Sequence, residues 1–358
     1  MSATQASRGL RSEQQRRPLR LLHLLWRGQA WNQLVLLLLL IVALFFLVPD
    51  PSLAVEVLIY SLWAISLNLL LGYGGLVSFG HALYWGFGGY AAGLALLHVT
   101  DSLWVALGAS MVLCGLLALG SGVVCLRRRD VYFSMLTLAF AQLGYFIAFE
   151  ARPLTGGDDG LGNIPTPPLD LPGLSLEMHP IRDPLPYFLL CAGILFLAFA
   201  FALLYTESPL GRVLQAIRES EERARGCGYN TRMVQLITFT VSGLLAGLAG
   251  GLDAIFNGLE GLQPYWSLSG LVVIMVILGG RSTLFGSVLG ALVVLLLEHY
   301  LSIFFGDWPL IVGAVFVVCV LLFPQGLWGL VRLEPFGSWG AVAWSQRLRA
   351  RWSRGPGS

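Results

Sequence analysis

Very few side chains in this sequence are placed to do covalent or proton chemistry. There is no lysine; all 22 basic residues are arginine. Without lysine the chain lacks a Walker A phosphate-binding residue and is not its own P-loop ATPase. Schiff-base chemistry of the retinal or aldol kind is excluded for the same reason. No His-Glu-x-x-His run and no Gly-x-Ser-x-Gly elbow occurs, and no Asp, Glu and His gather at one depth. Cys114, Cys125, Cys191 and Cys319 fall in or beside apolar stretches and Cys227 lies in a polar one. None is paired at metal-ligand spacing, so they read as small apolar residues. Glu56, Glu150, Asp253 and Glu298 map to the ends of apolar stretches. The deep ionisable couple that an ion-coupled secondary transporter or channel would need is therefore not evident. Neither a catalytic site nor a bound cofactor or metal is expected.

The polar residues that do cluster suit mechanical contact. Glu207 to Arg232 is a long polar insertion between apolar segments. Ser208 before Pro209 is a helix start: a capping hydroxyl, then a proline whose fixed φ suits the first turn. Leu210, Val213, Leu214 and Ile217 recur at helical spacing and make one apolar stripe, with Arg212, Gln215, Arg218, Glu219 and Glu222 largely off it. Glu219 with Arg223 and Glu221 with Arg225 are spaced as i,i+4 pairs, each contributing roughly 0.2–0.5 kcal/mol. Gly226 and Gly228 stop the helix, and Asn230 or Thr231 caps the apolar helix that follows. The spacing predicts one short amphipathic helix lying along a membrane surface between two spans; a solvated surface loop is the plainer alternative.

The elements around this hairpin are apolar. Charged residues are 12% of the chain and apolar ones 56%, against about 25% charged in a soluble domain. Recurrent apolar runs predict an all-α polytopic membrane protein. Residues 1–32 form a basic N-terminal segment, 33–330 a transmembrane domain with the hairpin at 206–232, and 331–358 a basic tail. Spans are expected at 33–48, 53–71, 81–98, 103–126, 131–149, 184–205, 233–252, 268–278, 284–300 and 310–330, about ten in all. The count drops to eight or nine if two glycine-broken segments are re-entrant. Arginines at both termini, Arg127-Arg128-Arg129, the hairpin and Arg281 then all lie inside, and the acidic 151–183 loop lies outside. The arginine excess thus reports orientation against membrane lipid and not nucleic-acid affinity. Gly243 with Gly247, Gly247 with Gly251, Gly89 with Gly93 and Gly286 with Gly290 have the spacing that lets helices approach closely.

The two breaks are Gly72-Tyr73-Gly74-Gly75, leading through Ser78 and Gly80 to His81, and Gly279-Gly280-Arg281-Ser282-Thr283. Unwound backbone in hydrocarbon costs several kcal/mol per unpaired group, so each break must face protein or a water-filled cavity. Paired breaks in two halves of a membrane protein point to a substrate path; two tight turns at the inner surface are the simpler alternative. His81 is more often a hydrogen-bonded packing residue than a ligand.

Several runs resemble one family. Arg218-Glu219-Ser220-Glu221 with Arg225-Gly226-Cys227-Gly228 resembles the EAA-type cytoplasmic loop of ABC-importer permeases, and more closely that of the branched-chain amino acid (Liv-type) permeases. Arg223 stands where that family more often has alanine. Asn68-Leu-Leu-Leu-Gly-Tyr-Gly-Gly-Leu-Val-Ser-Phe-Gly-His81 is similar to its Asn…Gly…Gly…Ser…Gly-His signature. Further similar runs are Arg129 to Phe140, Leu154 to Leu161 with Asn163-Ile164-Pro165, and Leu278 to Gly286, where Arg281-Ser282 replaces a usual glycine. The large outer loop is nearer the M-type than the H-type subunit.

The resemblance implies a permease subunit of an ABC importer, multi-pass in the bacterial plasma (inner) membrane with both termini cytoplasmic. It implies a second permease subunit of the H-type, two separate ABC ATPase subunits that use the ATP, and a periplasmic or lipid-anchored solute-binding protein. It also implies coupling to the ATPase through Arg218, Glu219, Glu221 and Gly228, a substrate path near Asn68, Tyr73, Gly74, Gly75, Ser78 and His81, and an outer loop shaped by Gly156, Gly157, Asp159 and Gly160. Branched-chain amino acids, urea, short amides and aromatic acids are the solutes in range.

Overall fold

The computed structural model describes residues 31–46, 48, 50–162, 164–171, 174–176, 184–259, 266–281, 283–304, 308–322 and 326–328. The expected terminal segments therefore lie outside the described residues, save for 31–32, which begin the first helix.

The apolar runs fold as helices because in hydrocarbon only an intra-segment ladder satisfies every backbone group. They are α1 (Trp31–Phe46), α2 (Pro51–Asn68), α3 (His81–His98), α4 (Leu103–Cys125) and α5 (Asp130–Glu150). A single turn, α6 (Arg152–Thr155), opens the large loop, and α7 (Pro184–Glu207) follows it. The hairpin carries α8 (Pro209–Glu219) and α9 (Glu221–Gly226). The last four are α10 (Thr231–Asn257), α11 (Trp266–Gly279), α12 (Leu284–Phe304) and α13 (Trp308–Leu322). The large loop also holds a small antiparallel hairpin, β1 (Leu169–Leu171) with β2 (Leu174–Leu176), in which Leu169 faces Leu176.

The chain is an all-α, multi-pass membrane protein apart from that hairpin. Among the described residues six helices are long and apolar enough to cross a membrane: Pro51–Tyr73, Leu103–Cys125, Asp130–Glu150, Pro184–Glu207, Thr231–Asn257 and Leu284–Phe304. Trp31–Phe46 and Ser267–Gly279 are shorter apolar helices. Six of the ten expected spans thus meet the length and apolarity of a crossing among the described residues, while α1 and α11 are shorter and α3 has 18 residues.

α2 is the axis of the bundle. Nearly all its side chains are buried, and it packs against α7, α10, α11 and α12. Asp50 accepts the Ser52 amide at 3.0 Å and Pro51 occupies the first turn, which fixes where α2 begins. α10 packs against both α3 and α4 through the small residues that the sequence offered. A Cβ on Gly243 would strike Ala118, one on Gly247 would lie 2.5 Å from the Cys114 Cβ, and one on Gly250 would collide with the Trp85 carbonyl. α11 and α12 close on each other the same way, with Gly279 against Gly286 and Gly290 against the Met275 carbonyl. Backbones at this separation gain dispersion contact that lipid chains do not offer.

Two expectations are corrected. α2 does not stop before the first glycine cluster. It continues as a π turn, Leu69–Tyr73, and the chain leaves helical geometry only at Gly75, whose φ is +70°. The polar insertion is also not one helix. Ser220 is extended (φ −163°, ψ 106°), ends α8 and caps α9 by accepting the Arg223 amide at 3.4 Å. Glu219 and Arg223 consequently sit on different helices and do not form the expected i,i+4 pair. Glu221 and Arg225 do, at 2.8 Å.

Candidate functional site

The hairpin is assembled from caps. Ser208 Oγ accepts the Gly211 amide at 3.2 Å to start α8, and Asn230 Oδ1 accepts the Met233 amide at 3.2 Å to start α10. Gly228, at φ +88° with open space around it, makes the turn between α9 and α10. The apolar stripe of α8 is used inward from Val213 on, while Leu210 stays exposed. Leu214 and Ile217 are buried with Ala224 and Val234, and Tyr73 and Val213 pack on them. Arg212, Gln215, Ala216, Glu219 and Glu222 are left exposed.

Arg218 turns back from this exposed face. It donates to the carbonyl of Gly72, and its stem lies 2.9 Å from where a Cβ on Gly75 would be. Gly72, Tyr73, Gln215, Arg218 and Glu219 line a hollow of about 380 Å³. Glu221 is a tie and not a free charge. Its Oε1 accepts from Arg129 at 2.7 Å, Arg225 at 2.8 Å and Thr231 at 2.9 Å. One carboxylate thereby joins the α4–α5 turn, α9 and the start of α10, with 14% of its side chain exposed.

The glycine break behind the hairpin is braced by neighbouring helices. Gly74 donates to Leu69 O at 3.2 Å and Leu76 to Leu70 O at 3.0 Å. Val77 O accepts from Ser134 at 2.7 Å, and the Phe79 amide donates to Thr137 Oγ1 at 3.1 Å. The Ala82 amide donates to Ser269 Oγ at 2.9 Å. Two α5 hydroxyls and one α11 hydroxyl thus replace partners that the helix interruption removes, which is how unwound backbone is tolerated at membrane depth.

Asn68, Ser78 and His81 are fully buried. His81 Nε2 lies 2.9 Å from Ser242 Oγ, which itself donates to Ser66 O at 2.5 Å. With the Ser242 proton committed, Nε2 carries the hydrogen and Nδ1 is left as an acceptor facing Ser78 Oγ at 3.4 Å. His81 therefore joins α3 to α10 and, through Ser242, to α2. Asn68 reaches the second break: its Nδ2 donates to Thr283 O at 2.9 Å. Gly72 lies against Asn68 Oδ1 and the Arg281 carbonyl, and a Cβ there would collide with both. The two glycine breaks, far apart in sequence, are one contact in space.

At the other end of α3, the large loop folds over the bundle. Thr155 Oγ1 donates to Ala148 O at 2.5 Å and accepts the Gly157 amide at 3.3 Å. Gly156, Gly157 and Gly160 have φ of +77°, +64° and +66°, and Asp159 is exposed on a 3₁₀ turn, Gly157–Asp159. Leu161 pairs with Leu259, and Leu161 and Ile164 pack on Tyr90, Ala148, Ala254 and Leu259. The loop glycines and the hairpin residues thus mark opposite ends of the molecule. Ser134, Thr137, Ser242 and Ser269 escaped the sequence reasoning; their only signal was a hydroxyl in an otherwise apolar run.

An all-α, multi-pass bundle with a polar helical hairpin at one end and broken helices packed beside it defines a membrane transport component. The family described as branched-chain amino acid transport system / permease component matches residues 52–323, and the chain belongs to it. The chain is 28% identical to the high-affinity branched-chain amino acid transport system permease protein LivM of Escherichia coli (strain K12) over 325 residues, 84% of this chain and 75% of that one. It is 27% identical to LivM of Salmonella typhimurium over 324 residues, with the same coverage of each chain. It is also 24% identical over 244 residues to the ribose import permease protein RbsC of Escherichia coli (strain K12), covering 65% of this chain and 72% of that one. No solved structure matches. The protein is a transmembrane permease subunit of an ABC importer, and the ion-coupled transporter or channel is not favoured.

Proposed function

We propose that this subunit imports branched-chain amino acids, or a related small polar solute such as urea or a short amide, across the bacterial plasma membrane. It works with a second permease of the H-type, two separate ATPase subunits and a periplasmic or lipid-anchored solute-binding protein. The chain binds no cofactor of its own; ATP belongs to the partners. The observation that carries this reading is the hairpin: α8 packs Val213, Leu214 and Ile217 on the glycine break and leaves Arg212, Gln215, Glu219 and Glu222 exposed for a partner. Similarity to LivM supports the solute class. The triple-arginine turn beside the hairpin supports a cytoplasmic position for that end, with both termini inside and about ten crossings in all.

In this reading the break from Asn68 to His81 shapes the inner part of the solute path. Tyr73 lines the hollow, Gly75 is exposed on the same break with Gly74 buried before it, and Asn68, Ser78 and His81 hold the break from behind. The outer loop with Gly156, Gly157, Asp159 and Gly160 meets the binding protein. The test is uptake of labelled leucine, and of urea in parallel, into proteoliposomes holding the chain and its partners. Uptake is expected only with ATP and both ATPase subunits present; uptake by the purified chain without them overturns the reading.

A further inference from the structure

The hairpin contacts a bundle whose central helix is α2, and the structure assigns a route between them. We propose that Arg218 and Asn68 are positioning residues that carry displacement of the hairpin into the membrane-spanning helices, through the π turn Leu69–Tyr73. The inference rests on the hairpin being the ATPase contact and adds the path beyond that contact.

Three observations on different elements support it. Arg218 grips the turn by the Gly72 carbonyl while its stem fills the space that the missing side chain of Gly75 leaves. Leu214 and Ile217 hold Tyr73 on the same side. α8 therefore pulls on the turn through a charged donor and pushes on it through apolar contact. Next, Asn68 at the start of the turn donates to Thr283 O, and Gly72 lies against the Arg281 carbonyl. Movement of the turn is passed to the α11–α12 junction by direct backbone contact, where Gly280 has a φ of +121°.

The third observation is that Asn68 Oδ1 is fully buried and has no hydrogen-bond partner. A buried acceptor left unpaired raises the energy of this arrangement relative to one that satisfies it. π turns within α-helices are frequent at functional sites. A slide of one residue changes which amides face Oδ1 without unwinding α2. The device is a packed turn with two registers, biased from the hairpin side by Arg218 and read out on the other side at Thr283.

The test is hydrogen–deuterium exchange on the full complex of both permeases and both ATPases, with and without ATP plus vanadate. In the natural chain, nucleotide is expected to change exchange in three places: 209–228, 69–80 and 279–286. A hydrogen bond from a charged donor is a factor of roughly ten or more in an equilibrium constant. Arg218→Met, which keeps the stem and loses the donors, is therefore expected to reduce the response at 69–80 and 279–286 about tenfold while the response at 209–228 stays. Arg218→Lys is expected to retain part of it. Asn68→Leu, or Asn68→Ser if that variant fails to assemble, is expected to keep the response at 69–80 and lose it at 279–286. Arg218 is exposed, so its variants are expected to assemble. Unchanged responses at 69–80 and 279–286 in Arg218→Met overturn the route while leaving ATPase docking intact. Loss of the ATPases from the Arg218→Met complex makes Arg218 a docking residue and also overturns it. No response at 209–228 in the natural chain removes the docking reading itself, and this inference with it.

Discussion

Single residues here act as ties between helices, and sequence alone ranked them differently. Glu221 attracts attention as a charged hairpin residue, yet it accepts three hydrogen bonds on one oxygen and holds the hairpin's base to the α4–α5 turn. His81 is held between Ser78 and Ser242 with its tautomer set by the bond from Ser242 to Ser66. Removing one partner of such a pair leaves a buried polar group unsatisfied at roughly 1–3 kcal/mol. His81→Ala is therefore expected to lower the amount of folded protein in the membrane, measured by detergent-extracted monodisperse yield, while the surviving transporter keeps its solute preference. Tyr73→Phe, which keeps the ring packed on the hairpin core beside the hollow, is expected to change rate or preference in uptake assays more than yield. A change of preference in His81→Ala would place the imidazole on the solute path.

At the scale of elements, glycine position separates packing from conformation. Gly250 and Gly290 sit under the carbonyls of Trp85 and Met275, while Gly108 and Gly120 on α4 have nothing within 4 Å of an added Cβ. Forcing a methyl into a packed contact costs typically 1–3 kcal/mol, whereas alanine for glycine at an unhindered helix position gains up to about 1 kcal/mol. Gly250→Ala and Gly290→Ala are expected to lower the melting temperature of the purified protein; Gly108→Ala and Gly120→Ala are expected to leave it level or raise it. Equal effects at all four positions would show that close helix approach does not govern stability here. The glycine spacings flagged in α10 and α12 were legible because backbone approach in lipid needs small residues at that period. Which of them meet which helix was not legible, since spacing defines a face and not its partner.

For the whole molecule, the arrangement predicts sidedness that can be read chemically. Cys227 is exposed in the hairpin, whereas Cys114, Cys125 and Cys191 are buried. In a chain with Cys319 replaced by serine, a membrane-impermeant maleimide is expected to label Cys227 in inside-out vesicles and to leave intact spheroplasts unlabelled. Labelling from the outside would invert the orientation and remove the hairpin from any ATPase. The large loop at the far end is tied down by the bridge between Leu161 and Leu259.

The sequence by itself determined the membrane class, nearly every helix, the cap at Ser208, and the existence of two glycine breaks, though not where the first one begins. These are local properties: desolvation of backbone in lipid, helical periodicity, and the conformational range of proline and glycine act within a few residues. It also determined the family, because several motifs occur in order along the chain. Only the tertiary structure decided that Gly72 meets Arg281, that Asn68 reaches Thr283, that Glu221 pairs with Arg129, and that His81 finds Ser242. Each of those contacts depends on the rotation and depth at which two separate helices pack, and an apolar run carries no record of either. The interruption of the hairpin at Ser220 is the intermediate case: the helical spacing that continues across this serine concealed that the helix stops there.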